Sequence, residues 1–182
     1  MGERWGGVLR ALVTSTQPRL PWRRIALASL GTGGAVALLG ALGTSMDLTL
    51  LFLGFAPSCL LVFALPEAPV SQPIAVVGGH LVSAAVGLGV GAIPHTGWWE
   101  GALASALAGA LAAALSVVAM LVLRVLHPPA VANAVVVCVT GAGWSYLFAP
   151  VLMSALVIVA VAMVWHRFAG GPGAYPYRST IR

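Results

Sequence analysis

Arg124, His127, Pro128, Pro129 and Asn133 lie within ten positions of one another, between two strongly apolar stretches. The guanidinium and the imidazole can supply positive charge, and the amide can donate hydrogen bonds. Two consecutive prolines remove two backbone donors and disfavour the helical conformation at the residue before them. We therefore expect a helix to end here. An interruption at membrane depth is tolerated only inside protein or beside a water-filled cavity, so this pattern indicates a functional site.

The chemistry that these residues favour is the binding of a small anion. A helix that restarts at Ala130 presents free N–H groups in its first turn, and such groups bind anions without a charged side chain. Arg124 or His127 would make the local potential positive, and Asn133 could complete the site. His80 is a further ionisable group at membrane depth, where an uncompensated charge is costly and function is the default hypothesis. Structural alternatives stay open: a snorkelling Arg124, a capping His127 and a hydrogen-bonded buried His80.

The composition is that of an integral membrane protein. The chain has 182 residues, of which 60% are hydrophobic and 7% charged, against about 25% charged in soluble domains. All nine basic residues are Arg, most beside the ends of apolar runs, which indicates topology rather than nucleic-acid binding. Cys59 and Cys138 lie inside apolar segments and are predicted to be small buried hydrophobes. Paired carboxylates in the spans, metal-ligand spacing and a phosphate loop are absent from the sequence, so we expect no enzyme activity, cofactor or metal.

The hydropathy pattern predicts an all-α polytopic bundle with four long spans and two proline-broken short spans. The segments are residues 25–43, 48–65, 74–93, 101–126, 130–143 and 144–165. If the short fifth segment crosses, every Arg faces one side while Asp47 and Glu100 face the other, which favours six crossings over a re-entrant segment. Two halves of three segments each would then form an inverted 3+3 repeat. Residues 1–24 are expected to be a cytoplasmic basic leader, 25–167 the transmembrane domain and 168–182 a cytoplasmic tail.

Two ridges of small residues recur at a spacing of four, which lets helix backbones approach closely. We expect the third and fourth spans to cross face to face along them: Gly79, Ser83, Gly87 and Gly91 in one, and Gly101, Ser105, Gly109 and Ala113 in the other. A short surface helix over 4–14 is a weaker expectation. A loop with His95, Trp98, Trp99 and Glu100 is expected at the membrane interface, and His166 is also placed there without a role.

Several short motifs together resemble those of the HPP family of integral membrane proteins. They are Gly78-Gly79-His80, Leu126-His127-Pro128-Pro129-Ala130, Ala56-Pro57-Ser58, Ser71-Gln72-Pro73, and Gly143-Trp144-Ser145 leading into Ala149-Pro150. The resemblance implies a small multi-span helical protein, and it implies nitrite transport because chloroplast members have been linked to that activity. The family commonly continues its motif with Ala-Gly-Ala-Thr-Ala, whereas this chain has Val131 and Asn133 in the variable places, so the substrate does not carry over.

These observations predict a membrane channel or secondary transporter for a small inorganic anion resembling nitrite, in the cytoplasmic membrane of a bacterium with both termini cytoplasmic. The predicted substrate-binding residues are Pro57, Ser58, His80, Arg124, His127, Pro128, Pro129, Ala130 and Asn133. The expected partners are the lipid bilayer and the anion, without nucleic acid, and a homo-oligomer is left open. The alternative is a non-transporting membrane scaffold. On the transport hypothesis, His127→Ala or Arg124→Ala lowers flux and leaves stability in detergent nearly unchanged, whereas equal loss of both would favour a structural role.

Overall fold

The computed structural model describes residues 14–15, 18–93, 101–169 and 175–177, and these residues form helices without strands. The α-helices are α1 Trp22–Ser45, α2 Thr49–Leu53, α3 Ala56–Ala64, α4 Pro73–Gly91, α5 Gly101–Val122, α6 Val131–Thr140 and α7 Met153–Phe168. Short 3-10 turns cover Pro69–Ser71, Pro128–Ala130 and Trp144–Leu147, and a π turn covers Phe148–Leu152. The predicted surface helix at 4–14 and the loop at 95–100 lie outside the described residues.

Four helical segments are long and apolar enough to cross a membrane: Trp22–Ser45, Pro73–Gly91, Gly101–Val122 and Trp144–Phe168. A shorter apolar segment, Pro128–Thr140, lies between the last two. The prediction of a polytopic helical bundle with long and short spans is therefore confirmed.

Both ends of the bundle's chain lie at one face. Arg24 Nη2 is 4.0 Å from Glu67 Oε1, and Arg23 Nη2 donates to Ala169 O at 3.2 Å. The start of α1, the loop after α3 and the end of α7 thus share this face, which we call the terminal face. Helices α2 and α3 together carry the chain back to it, with a break between them at Gly54 and Phe55.

The short helix α6 crosses the bundle beside α4 and in the same direction. A side chain added at Gly79 would contact His127, and one added at Gly91 would contact Val137. Since α4 runs from the terminal face at Pro73 to the opposite face at Gly91, α6 also ends near the opposite face. Helix α7 then returns to the terminal face, so the chain passes six times between the two faces, as the six-crossing prediction requires.

The packing is that of two inverted halves. Helix α4 packs on α5 and α6, and α7 packs on α1 and α3. Exchanging the halves, so that α1, α3 and α4 become α5, α6 and α7, converts the first set of contacts into the second. An inverted 3+3 repeat produces this pattern, and it places the two proline-broken segments in corresponding positions.

Two predicted boundaries are wrong for reasons of backbone chemistry. Helix α5 ends at Val122, four residues before the predicted end, because Arg124 adopts a left-handed conformation with φ of 59°. The last span is not one regular helix from Trp144. Ala149 has φ −130° and ψ 119° because Pro150 follows it, and a residue before proline is displaced from the helical region.

The small-residue ridges do not meet each other. Side chains added at Gly87 and Gly91 would contact Ala134 and Val137, and one added at Gly109 would contact Val135. Both ridges therefore face the short helix α6, which fits between α4 and α5. The buried stripe of α5 is also offset by one position from the predicted ridge: Ala104, Ala108, Ala112, Ser116 and Met120. The two helices do pack together, but the face-to-face crossing was wrong.

The main apolar core lies among α1, α2, α3, α4 and α7, where Leu39, Phe52, Val62 and Ile158 are fully buried. Cys59 and Cys138 are buried free thiols, as predicted. The polar side chains described next are enclosed between this core and α6.

Candidate functional site

The first proline break turns Ser58 into the bundle. Pro57 stands in the first turn of α3 and is exposed, whereas Ser58 is fully buried. The backbone at this break satisfies itself, because the N–H groups of Ser58 and Cys59 both donate to Phe55 O, at 3.0 and 3.2 Å. The Ser58 hydroxyl is consequently free to bond other side chains.

The second break turns His127 into the bundle. After Val122 the chain leaves the helix through Arg124, and Val125 N donates back to Met120 O at 2.9 Å. His127 has extended backbone with φ −135° and ψ 97°, as expected for a residue before proline, and its side chain is fully buried. It packs against Gly79, where any side chain would be 2.7 Å from His127 Cβ. The glycine of the Gly78-Gly79-His80 motif therefore makes room for this histidine.

Five side chains and one backbone carbonyl form a continuous hydrogen-bonded chain. His127 Nδ1 lies 2.6 Å from Val70 O, and His127 Nε2 lies 2.9 Å from Ser58 Oγ. Ser58 Oγ lies 2.8 Å from His80 Nε2, and His80 Nδ1 lies 2.8 Å from Asn133 Nδ2. The chain ends at Tyr146, whose hydroxyl donates to Asn133 Oδ1 at 3.1 Å. We call this set the polar chain.

The Val70 carbonyl fixes the direction of every donor in the polar chain. A carbonyl only accepts, so His127 Nδ1 carries a proton, and in the neutral ring Nε2 accepts from the Ser58 hydroxyl. Ser58 has one proton, so it accepts from His80 Nε2–H. His80 Nδ1 then accepts from the Asn133 amide, whose oxygen accepts from Tyr146. Each donor and acceptor between Tyr146 and Val70 is satisfied with two neutral histidines.

The polar chain is sealed from solvent and packed by rings. His80 is 2% exposed and Asn133 5%, while Ser58 and His127 are 0% exposed. The Phe55 ring lies 4.5 Å from the His80 ring, and the two imidazoles are 5.0 Å apart. At 1.5 Å per residue, His80 lies roughly 10 Å along α4 from Pro73, so the chain is within the membrane-spanning region.

The structure brings four of the predicted site residues together: Ser58, His80, His127 and Asn133. It places others outside. Arg124 is exposed at the end of α5, where a cation complements the helix dipole, and Pro57 and Pro128 are exposed as well. Pro129 is half-buried and makes the turn without joining the polar chain.

The prediction that the helix start at Ala130 offers free N–H groups to an anion is wrong. Ala130 N donates to His127 O at 2.9 Å, and Val131 N is directed at Pro128 O. The two prolines before them have no N–H. This helix start therefore has its first N–H groups already paired, and anion recognition would have to come from side chains.

Sequence reasoning missed Tyr146 and Val70. A tyrosine in an apolar run was a usable signal, since a buried phenol usually finds a hydrogen-bond partner. Val70 contributes only its backbone carbonyl, which no residue type reveals.

A cavity of about 460 Å³ opens near the opposite face, between the ends of α4, α5 and α6. Its lining includes Gly91, Ser105, Val137 and Thr140. Val137 lies one helical turn beyond Asn133 on α6, so the cavity ends one turn from the polar chain.

Another buried histidine lies at the terminal face. His166 was expected at the interface but is 7% exposed, and its Nε2 lies 3.1 Å from Val62 O. Its ring contacts those of Phe63 and Tyr175, at 5.8 and 5.5 Å. Tyr175 donates to Ser71 O at 3.0 Å, next to the carbonyl that holds His127, and burial raises the pKa of the Tyr175 phenol. Among the described residues, no group of three His, Cys, Asp or Glu side chains is arranged to hold a metal ion.

Residues 17–176 match the family described as HPP, transmembrane region. The chain belongs to this family. The buried His127 before two prolines and the His80 of the Gly-Gly-His motif, which packs beside it, are thus features of an HPP transmembrane region.

This HPP chain is also similar to two transmembrane proteins of Dictyostelium discoideum. One is 33% identical over 122 residues, which cover 63% of this chain and 40% of that protein. The other is 34% identical over 129 residues, which cover 66% of this chain and 39% of that protein. The chain spans about two-fifths of the length of these curated relatives. No solved structure matches.

Proposed function

We propose that this HPP protein is a membrane channel or secondary transporter for a small inorganic anion of the nitrite type. The observation that carries the proposal is the polar chain, which joins both proline-broken segments to α4 in the middle of an apolar bundle. Paired broken segments in inverted halves are where secondary transporters bind their substrates.

The charge of the site favours an anion over a cation. The polar chain contains two imidazoles, which can become positive, and no carboxylate. The acidic residues of the described part of the chain, Asp47 and Glu67, are both exposed near helix ends. A cation at the depth of His80 would therefore have no counter-charge, whereas an anion would be bound by the N–H groups of His80, His127 and Asn133 once these exchange their present hydrogen bonds for bonds to it.

The cavity at the opposite face comes close to the polar chain without reaching it. The cavity there ends one helical turn before Asn133, and Val137 separates the two. On the terminal face, the loop around Val70 closes over His127. The polar chain is therefore closed toward both faces, and the layer of protein that separates it from the cavity is the thinner of the two. The Arg residues at the terminal face, including Arg24 and Arg124, support placing that face in the cytoplasm of a bacterial cell.

Purified protein in liposomes tests the proposal by uptake of nitrite, nitrate, chloride or formate at clamped voltage. We expect at least one of these anions to move faster than in protein-free vesicles, and Asn133→Ala to slow it by about tenfold, the equivalent of losing one hydrogen bond of about 1.4 kcal/mol at the barrier. Arg124→Gln is the control and should transport at the normal rate, since that side chain is exposed. Vesicles that move none of these anions would refute the proposal.

A second candidate, a rigid scaffold that binds a partner protein, is favoured by one observation. Every donor and acceptor in the polar chain is paired and enclosed, which is also how a purely structural network is built. Gentle solubilisation that recovers a stoichiometric partner, together with no anion uptake, would support the scaffold over the transporter.

A further inference from the structure

We propose that His80, Ser58 and His127 take up one proton with each anion, so that transport is coupled to protons and electrically neutral. This inference rests on the proposed function and adds the co-substrate to it. We call these three residues the proton triad.

The first observation is that the polar chain has no place for an extra proton in its present form. With His127 Nδ1–H held by Val70 O, both histidines are neutral and each N–H points one way along the chain. A proton added at His80 Nδ1 would meet the Asn133 amide N–H, 2.8 Å away. Asn133 must then rotate its amide so that Oδ1 accepts instead, which breaks the bond from Tyr146. Protonation therefore changes the structure at the end of the chain that lies toward the cavity.

The second observation is that the Ser58 hydroxyl bridges the two imidazoles and can relay a proton between them. When His80 carries protons on both nitrogens, its Nε2 proton passes to Ser58 Oγ while the Ser58 proton passes to His127 Nε2. His80 is left neutral with Nδ1–H, Ser58 is again a hydroxyl, and His127 becomes the cation. No atom is lost and one positive charge has moved from His80 to His127.

Release of the proton on the other side requires movement of the loop at Val70. His127 gives up its Nδ1 proton, and the bare nitrogen then faces the Val70 carbonyl at the present 2.6 Å. Two acceptors repel, so release needs this contact to open. Tyr175 and Gln72 hold the same loop through Ser71 O and through Pro66 O and Ala68 O. Proton release and opening toward the terminal face are thereby linked.

The third observation is the surrounding charge. Titratable groups on the elements packed around the proton triad are Cys59 on α3, Cys138 on α6 against Gly87 O, Tyr146, and His166 with Arg167 at the far end of α7. Tyr175 bonds Ser71 O beside Val70, and the exposed Arg124 and Glu67 lie on the segments that lead to His127 and Val70. Helix α5 contributes none. A lone anion beside the neutral chain would have no counter-charge in the described surroundings, and burying an unpaired ion is very costly. A proton on His80 or His127 supplies that charge.

The experiment uses the full chain in liposomes that contain the pH dye pyranine, with potassium and valinomycin holding the voltage at zero. Nitrite or nitrate is added outside. Nitrite must be corrected for protein-free vesicles because its acid crosses bilayers, and nitrate, the anion of a strong acid, needs no such correction. We expect internal acidification with anion entry, at about one proton per anion, and at least a tenfold slower acidification in Ser58→Ala.

Three outcomes overturn the proposal. Anion entry that carries current and leaves the internal pH unchanged would refute proton coupling and leave the proposed function standing. Acidification in Ser58→Ala as fast as in the native protein would refute the relay. Absence of any anion entry would refute both the function and the coupling. Ser45→Ala, an exposed serine that bonds only Leu42 O in its own helix, is the matched control and should behave as the native protein.

A measurement on the native chain covers the case in which Ser58→Ala does not fold. Nitrogen-15 labelling of histidine distinguishes the two neutral tautomers and the cation. At pH 8 we expect His80 to carry its proton on Nε2 and His127 on Nδ1, and acid to add one proton to the pair before it adds a second. Equal tautomers, or two cations appearing together, would contradict the proposal.

Discussion

Proline interrupts both short spans, but the two interruptions have different consequences for the neighbouring polar residue. At the first break, around Pro57, the backbone pairs its own N–H groups through Phe55 O, and Ser58 is left with an uncommitted hydroxyl. At the second, around Pro128, the chain leaves the helix altogether and His127 must reach Val70 O to tie the break to the bundle. The first break therefore leaves Ser58 as a bridging hydroxyl. The second places His127 as a structural support that can also exchange protons. In both, the proline lies outward while its polar neighbour lies inward.

The largest expected effect comes from removing the His127 side chain. His127→Ala leaves Val70 O without its donor and the Ser58 hydroxyl proton without its acceptor, and it opens a cavity the size of an imidazole beside Gly79. Unpaired buried groups and a new cavity together are expected to cost about 3–5 kcal/mol. The free energy of unfolding in mixed detergent and SDS measures it. The sequence-based expectation was nearly unchanged stability, whereas the structure predicts a loss because the His127 side chain holds the break together. A loss below about 1 kcal/mol would show that the second break satisfies itself as the first does.

The second-largest expected effect tests how closely the segment at His127 packs against α4. Gly79→Ala places a methyl 2.7 Å from His127 Cβ and 2.9 Å from Val125 O, and a backbone oxygen cannot turn aside. We expect a loss of about 1–3 kcal/mol in the same assay. Gly33→Ala is the matched control, because nothing lies within 4 Å of the added methyl, and it should be neutral or slightly stabilising. Equal effects of Gly79→Ala and Gly33→Ala would contradict this close packing.

A smaller effect is expected at the end of the polar chain. Tyr146→Phe removes the donor to Asn133 Oδ1 and keeps the ring in place, at a cost of about 1–2 kcal/mol. Thermal unfolding in detergent checks the sign, and Tyr177→Phe, at an exposed position, is the control. A neutral result would mean that the amide oxygen of Asn133 finds another donor.

The smallest effect concerns Arg124. Its left-handed backbone favours glycine, while its charge favours the helix end, and each term is about 1 kcal/mol with opposite sign. Arg124→Gly should therefore change the free energy of unfolding by less than about 0.5 kcal/mol and leave anion uptake unaltered. A tenfold loss of uptake would return Arg124 to the site.

Much of the fold and part of the candidate site could be predicted from the sequence. Apolar length and the proline positions gave the six crossings, because each is a local property of the chain. Ser58, His80, His127 and Asn133 stood out because polar groups are costly at membrane depth. Arg124 was assigned to the site because its charge lies beside the double proline, but α5 ends at Val122 and leaves this side chain exposed. A ridge of small residues shows that a neighbour comes close without showing which, so the role of α6 between α4 and α5 needed the structure.

The polar chain is assembled from residues far apart in the order of synthesis. Ser58 and His80 are 22 residues apart and are both present once the first half of the chain is made. His127 follows 69 residues after Ser58, and Tyr175 reaches Ser71 O across 104 residues. The first half therefore enters the membrane with an incomplete set of hydrogen bonds, and the loop at Val70 is fastened only after the last helix has left the ribosome. We expect crosslinks between Ser71 and Tyr175 only on chains long enough for Tyr175 to have left the ribosome, whereas Ser58–His80 crosslinks on ribosome-bound chains that end at Phe148 would show the incomplete state directly.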